Sequence, residues 1–586
     1  MAIEIIKAFD NNDNFVFIPA CCYAGNRFKV LKYNYPPLFT LDDIGIDMPV
    51  TITDVPRLDP DGSGKIEVTS GDAATPAVGV FSPSLKRGIL VFTLQEIDGK
   101  NIGLAYENGE IRLTWPAKRE KIYTMCKMSE NTDEWRNEPR EIPHKILDFP
   151  CESIAEFYRI FFENRKIMGL DSERPEVIPF EKQFLIHRKK FNNMNWNEQL
   201  GIYQVGTTND KYQVWQPGWV GGAISGYPLM MLGGETELER EMKTLSFLFS
   251  TQGDSGFFQG NIDAEGNASD DIFTITSRHL QLTRKSADAF YFLFKHFKFM
   301  QKKKLEIPKS FIEGAKKAAD GFLRLYNRYG QFGQFVDINT GDIFAGGSTS
   351  ASMAPAGLAE AYMFFNNPEY LIIAKASAED YYKNWLLKGY TTGGPGEILQ
   401  GVDSESAFGL LESFVVLYEV TKEDRWLKYA KECTHYCSTW VVSYNYKFPK
   451  NCEFARLNIK TIGSVFANIQ NKHSAPGICT LSGDSLYKLW KWTNDPLYLE
   501  LLKDIALPLG QYLSTDERPI YDWDAKNSED ILAHRLPAGF MNERVNMSDW
   551  EGEDCVGGVF NGSCWPETSN LLTLAEVIPL LQKEGL

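Results

Sequence analysis

Over residues 1–147 apolar and polar positions alternate in short runs. VFTLQEIDG, IGLAYENGEIRLTW and KIYTMC keep a period of two and break at Asp-Gly or Asn-Gly, which predicts short antiparallel strands joined by tight turns. Proline and glycine punctuate 36–83 and no segment there holds a helical period for long. The expectation for 1–147 is a β-sandwich-like domain. DPDGSG at 59–64 has the start of a calcium loop but lacks the acid at its twelfth position, so it reads as a turn.

From residue 148 the apolar positions recur with a helical period. Helices are expected near 150–168, 218–232, 235–250, 277–300, 308–328, 352–366, 368–387, 404–419, 423–442, 478–492, 495–513 and 565–583. Short and long connections alternate between them. The short ones share a grammar, seen in GGETELER, NNPEYLII, TKEDRWLK and TNDPLYLE: a turn residue, an acid, then the start of a second helix. The long ones cover 251–276, 329–351, 388–403, 443–477 and 514–564, and unstructured loops of that length are uncommon unless functional. Six helical hairpins in a closed ring bring every long loop to one rim, with the first helix pairing with the last. The first helix of each pair is apolar nearly all round, as in SAFGLLESFVVLY, and the second is amphipathic, as in AKASAEDYYKNWL. An inner ring buried on two sides and an outer ring facing solvent account for that difference.

Composition narrows the classes. A chain of 586 residues that is 43% hydrophobic and 13% aromatic is not disordered. A net charge of −16 argues against a nucleic-acid partner. No apolar run is long enough to span a membrane, and MAIEIIKAFDNND has no signal-peptide hydrophobic segment. Ten cysteines without a CxxC pair are read as structural thiols; Cys433 and Cys437 lack further ligands at zinc spacing, and a Cys555–Cys564 bridge is the minority alternative. No nucleotide motif, HExxH or nucleophile elbow occurs. No cofactor and no metal are expected.

The helical repeat across 150–583 and aromatic-acid loops such as GWVGG at 218–222 resemble the six-hairpin (α/α)6-toroid carbohydrate-active enzymes. The resemblance implies a mainly α fold, with a toroid over 148–586 behind the N-terminal sandwich and an active site on the long-loop rim. It also implies an oligosaccharide or polysaccharide fragment as partner and a periplasmic or extracellular setting, with the cytoplasm left open.

Glycosidic cleavage needs one carboxylic acid to protonate the leaving oxygen and a second carboxylate to activate water or attack the sugar. The rim loops offer Asp549 and Glu551 in NMSDWEGED, Asp403 and Glu405 in GVDSESA, and Asp254 in GDSGFFQG as catalytic candidates. Trp215, Trp219, Phe258, Trp550 and Trp565 are candidate sugar platforms. Glu567, Arg278 and His279 complete the binding candidates, an arginine being suited to a uronate carboxylate. Each acid also has an ordinary reading: Asp403 as a helix cap, Asp254 as a turn residue, the 549–554 acids as a solvated cluster. Glycoside hydrolysis is the leading function. Polysaccharide lyase or sugar epimerase chemistry on the same fold, and noncatalytic carbohydrate binding, are the alternatives.

Overall fold

The computed structural model describes residues 2–32, 44–52, 55–117, 141–211, 214–269, 278–471, 473–522, 528–547, 556–559 and 563–585. The N-terminal part is a sandwich of two antiparallel sheets. One has the order Ala2–Lys7, Glu110–Trp115, Gly103–Glu107, Lys65–Thr69; the other has the order His144–Pro150, Arg87–Thr93, Ala77–Ser82, Phe15–Ile18, Cys22–Tyr23. Val16, Val78, Val80, Ile89 and Val91 of the second sheet meet Ile66, Val68, Leu104, Ile111 and Leu113 of the first. The alternate residues of the second sheet, Phe15, Phe17, Phe81, Leu90 and Phe92, point the other way and join the core of the helical part. Burial of the inner strands on both faces explains why GILVFT is an unbroken apolar run, whereas the edge strand His144–Pro150 keeps exposed positions.

Fifteen helices are found among the described residues. α1 (Ile154–Asn164) and α2 (Phe180–Lys190) precede the pairs α3 (Gly222–Leu232) with α4 (Glu235–Ser250), α5 (Thr283–Lys303) with α6 (Lys309–Tyr329), and α7 (Ala354–Phe365) with α8 (Pro368–Asn384). Then come α9 (Glu405–Thr421) with α10 (Asp424–Ser438), the single turn α11 (Glu453–Arg456), α12 (Asp484–Thr493) with α13 (Pro496–Ala506), and finally α14 (Trp565–Glu576) and α15 (Ile578–Lys583). Around the inside, α3 packs on α5, α5 on α7, α7 on α9 and α9 on α12, while α14 closes back onto α3. Ser482 Oγ, just before α12, donates to Glu576 of α14 at 2.7 Å. The helices therefore form a six-hairpin (α/α)6 toroid.

The burial pattern follows the ring. Every residue from Glu405 to Leu417 of inner α9 is buried, whereas outer α6 buries a stripe made of Phe311, Ala315, Ala318, Ala319, Phe322 and Leu325. Leu, Val and Phe all round a helix suit a position between two layers; one stripe suits a position with water on the other side. Among the described residues no helix is long and apolar enough to cross a membrane.

Three expectations need correction. The partner of α14 is α2, which lies outside the expected set, and not the first helix. Asn570 Nδ2 of α14 donates to Gln183 Oε1 at 3.1 Å and lies 3.0 Å from His187 Nε2, both on α2. α1 packs instead on α10 and beneath the sandwich, where Phe161 meets Phe17 edge-on at 5.1 Å. The long helix expected from 277 starts at Thr283, because Leu280–Leu282 pairs as a strand with Phe335–Asp337. The helix expected over 565–583 breaks at Val577, because Pro579 has no N–H to donate to the carbonyl of Ala575 and instead sits in the first turn of a new helix.

Candidate functional site

Each inner helix begins at the end of a long connection, so the N-termini of α3, α5, α7, α9 and α14 open on one rim. The ends of α5 and α9 carry the charged groups. Arg284 is the second residue of α5, Asp288 lies one turn further, and Glu405 is the first residue of α9. Arg284 Nε donates to Asp288 Oδ2 at 3.1 Å, and Arg284 Nη1 donates to Glu405 Oε2. The indole of Trp219, from the loop before α3, donates to the same Glu405 oxygen at 3.0 Å. Cys479 Sγ is 3.9 Å from Arg284 Nη2.

Local sequence makes this approach available. Gly218 lies so close to α5 that a Cβ would sit 2.1 Å from the Lys285 carbonyl oxygen, so only glycine lets the loop reach the helix. The next residue, Trp219, adopts φ +66°, a left-handed conformation that a bulky residue keeps only when its surroundings hold it. Here Glu405 accepts its indole N–H at 3.0 Å, and the Arg284 guanidinium lies 5.7 Å from the ring centroid.

The three charged side chains are almost wholly buried. Burial works against the charge of Arg284, but Glu405 and Asp288 outweigh it and hold the guanidinium well above its ordinary value. Burial pushes Asp288 up to about 6, against the pull of Arg284. An acid of that kind exchanges its proton in the mildly acidic range, beside a second carboxylate locked in an ion pair. Lys285 Nζ donates to Asn261 Oδ1 at 2.9 Å and lies 5.9 Å from the Trp219 ring centroid. Trp219 and Trp565 are both half-buried and pack on one cluster that includes Phe191, Trp196, Val220 and Leu571. They are the two sequence-predicted platforms that meet at the seam between α3 and α14. The sandwich domain also reaches the rim: Met48 N–H donates to Gly346 O, Thr51 Oγ1 donates to Ile398 O at 2.9 Å, and Met48 packs with Leu282 and Leu399.

The other candidates fall elsewhere. Asp403 is fully buried and accepts from Ser406 N at 2.6 Å and Gly394 N at 3.0 Å, the work of a cap and loop anchor; burial raises it to about 6 despite these donors. Asp254 is fully exposed and 3.7 Å from Lys317 on outer α6. Trp215 and Phe258 are core residues, packed edge-on against Phe247 at 4.9 Å and Phe249 at 6.1 Å. Glu567 is buried under the rim, accepting from Met541 N at 3.1 Å with Lys190 Nζ at 3.4 Å, and burial raises its carboxyl. Arg278 and His279 stand exposed in a turn before the Leu280–Leu282 strand rather than at a helix start. Asp549, Trp550 and Glu551 lie outside the described residues. Sequence reasoning missed Arg284, Asp288 and Cys479. The signal for the first two is their i,i+4 spacing in TRKSAD, which on a helix makes neighbours of opposite charge. Among the described residues no group of three or more His, Cys, Asp or Glu is placed to hold a metal ion.

No protein-family model and no curated protein matches the sequence. Solved structures do. A sugar epimerase from a ruminal bacterium is 13% identical over 68% of this chain and 97% of its own, with a TM-score of 0.42. A GH76 α-mannanase of Bacteroides thetaiotaomicron is 12% identical over 69% of this chain and 96% of its own, with a TM-score of 0.43. A cellobiose 2-epimerase from Spirochaeta thermophila is 9% identical over 69% of this chain and 98% of its own, with a TM-score of 0.45.

Proposed function

We propose that the protein is a carbohydrate-processing enzyme that performs acid–base chemistry on a sugar at the long-loop rim. The observation that carries this reading is the buried cluster of Glu405, Arg284 and Asp288 under the half-buried indole of Trp219. Two carboxyl groups in contrasting environments divide the labour: Asp288, raised to about 6, delivers a proton, and Glu405 remains paired with the guanidinium. The indole supplies a flat face for a sugar ring.

Glycosidic hydrolysis asks that two acids flank the scissile bond from opposite sides. Glu405 and Asp288 instead gather on one guanidinium, an arrangement that suits abstraction of a ring proton by one carboxylate and protonation of the leaving oxygen by the other acid on the same side. This favours elimination as the second reading, with epimerisation requiring a proton donor on the opposite face of the ring and hydrolysis a further acid from another rim loop.

The test is a product assay on mannan oligosaccharides, cellobiose and uronate-bearing disaccharides, followed by proton NMR in D2O. A new reducing end marks hydrolysis, a double bond marks elimination, and deuterium at a sugar carbon with altered stereochemistry marks epimerisation. Glu405→Gln and Asp288→Asn should each lower kcat by at least ~10²-fold while the protein stays folded. Turnover of no sugar, or undiminished turnover in both variants, rejects the proposal.

A further inference from the structure

Toward the other end of the toroid, the C-terminal halves of α3, α5, α7 and α9 and the first turns of the short α12 line a cavity of about 260 Å³. Its floor residue Tyr291 lies three residues beyond Asp288 on α5, and from there the cavity runs away from the rim cluster. Glu405 starts α9 and Glu419, in the cavity wall, lies near its end; at 1.5 Å per residue the two are roughly 20 Å apart along the axis. The floor is made by Tyr291, Lys295 and Asp484, the wall by Tyr227, Phe299 and Lys488, and the mouth by Lys298 and Lys302.

The charges are arranged, not scattered. Lys488 Nζ is shared by Glu419 at 3.0 Å and Asp484 at 3.1 Å. Lys298 pairs with Glu360 at the mouth. Lys295 Nζ lies 2.7 Å from Glu576 Oε1 but makes no aligned hydrogen bond. Two carboxylates behind the floor are already engaged: Glu576 accepts from Ser482, and Glu412 accepts from Tyr291 and Ser485. Lys302 is exposed and has no carboxylate partner among the described residues, and Lys303 and Lys304 follow it in sequence. The lining therefore carries one lysine in excess of its carboxylates, Lys302 at the mouth beside the Lys298–Glu360 pair, while the interior alternates acceptors and donors beside aromatic rings. The volume is below the ~300 Å³ at which drug-sized pockets begin and suits a single sugar ring.

We propose that this cavity is a second ligand site, for one acidic monosaccharide, a sugar carrying a single carboxylate or phosphate. Its acid group pairs with Lys298 and Lys302 at the mouth. Its hydroxyls exchange hydrogen bonds with Lys295, Lys488, Asp484 and Glu419, and its C–H face lies on the Tyr227 and Phe299 rings. Nothing in this assignment depends on the chemistry at the rim.

Calorimetry on the full chain tests it, with glucuronate, glucose 6-phosphate, glucose and inorganic phosphate as probes. Glucuronate or glucose 6-phosphate should bind at least roughly tenfold more tightly than glucose or phosphate alone, a step of about 1.4 kcal/mol; whichever acid is tighter identifies the source of the charge. The double variant K298Q/K302Q changes two exposed side chains and should lose that advantage, whereas E405Q at the rim should leave it intact. No binding of either acid overturns the proposal, as does glucose or phosphate binding as tightly as the acids. Loss of binding in E405Q with retention in the lysine variant overturns it too, because the ligand would then sit at the rim.

Discussion

Asp288 shows how one side chain couples the rim to pH. Its carboxyl sits at about 6 in the folded chain, against an ordinary value of 3.8. Below the ordinary value both states are protonated. Between about 4 and 6 the folded protein holds a proton that the unfolded chain has released, so this group lowers stability progressively as pH rises through that window. Asp288→Asn removes the titration. Its unfolding free energy, measured in urea at pH 4 and at pH 7, should gain on the wild type by roughly 2–3 kcal/mol over that interval; parallel curves would show that Asp288 does not titrate there. If Asp288 is the proton donor, kcat/KM should also fall as pH rises through 6. Gly218 gives a second residue-scale expectation. Gly218→Ala pushes the Trp219 loop away from the Lys285 carbonyl, and the variant should lose the Trp219–Glu405 hydrogen bond. Indole ultraviolet resonance Raman, which reports whether that N–H is bonded, should register the change, and an unaltered band refutes the close-approach argument.

At the scale of elements, the chain's periodicity discloses most of the ring. Apolar all-round helices alternating with amphipathic ones mark inner and outer layers because burial on two sides and on one side leave different patterns. What the pattern hides is α2. FEKQFLIHRKK has no continuous apolar stripe, since it docks on α14 largely through Gln183, His187 and Asn570 rather than through aliphatic packing. The site was half legible for a similar reason. An acid at a helix start looks the same in sequence whether it caps, as Asp403 does, or joins a buried cluster across the ring, as Glu405 does; only the fold brings Arg284 opposite. Another buried cluster makes an element-scale prediction. Asp504 of α13 is fully buried and binds Arg165, Lys166 and Arg174, which follow α1. Asp504→Ala leaves three cations crowded without their carboxylate and should destabilise the protein by about 3–5 kcal/mol, read as a lowered urea midpoint. An unchanged midpoint would show that the three cations find other partners.

On the scale of the whole molecule, the sandwich and toroid share one core. Tyr23 stacks on Trp440 with ring centroids 5.0 Å apart, and its hydroxyl lies 2.9 Å from Thr439 Oγ1. Thr75 Oγ1 and Ser443 Oγ are 2.7 Å apart across the same junction. Tyr23→Ala opens a cavity between the two parts and should cost about 3–5 kcal/mol. The loss should appear in a single transition followed by both near-ultraviolet and far-ultraviolet circular dichroism; two separate transitions would show that the parts unfold independently.

The inner strands of the five-stranded sheet, buried on both faces, have a consequence for descent. An appended sugar-binding module can be gained, lost or exchanged because only a linker joins it to its neighbour. These strands have no face to spare: Phe17 and Phe92 lie against Phe161 of the helical part, while Val16 and Val91 lie against the other sheet. A change of volume at Phe161 must be answered in the sandwich, and a change at Phe17 must be answered in α1. The two parts are therefore bound to be inherited together, and substitutions at these facing positions should be found in matched pairs among descendants of the chain.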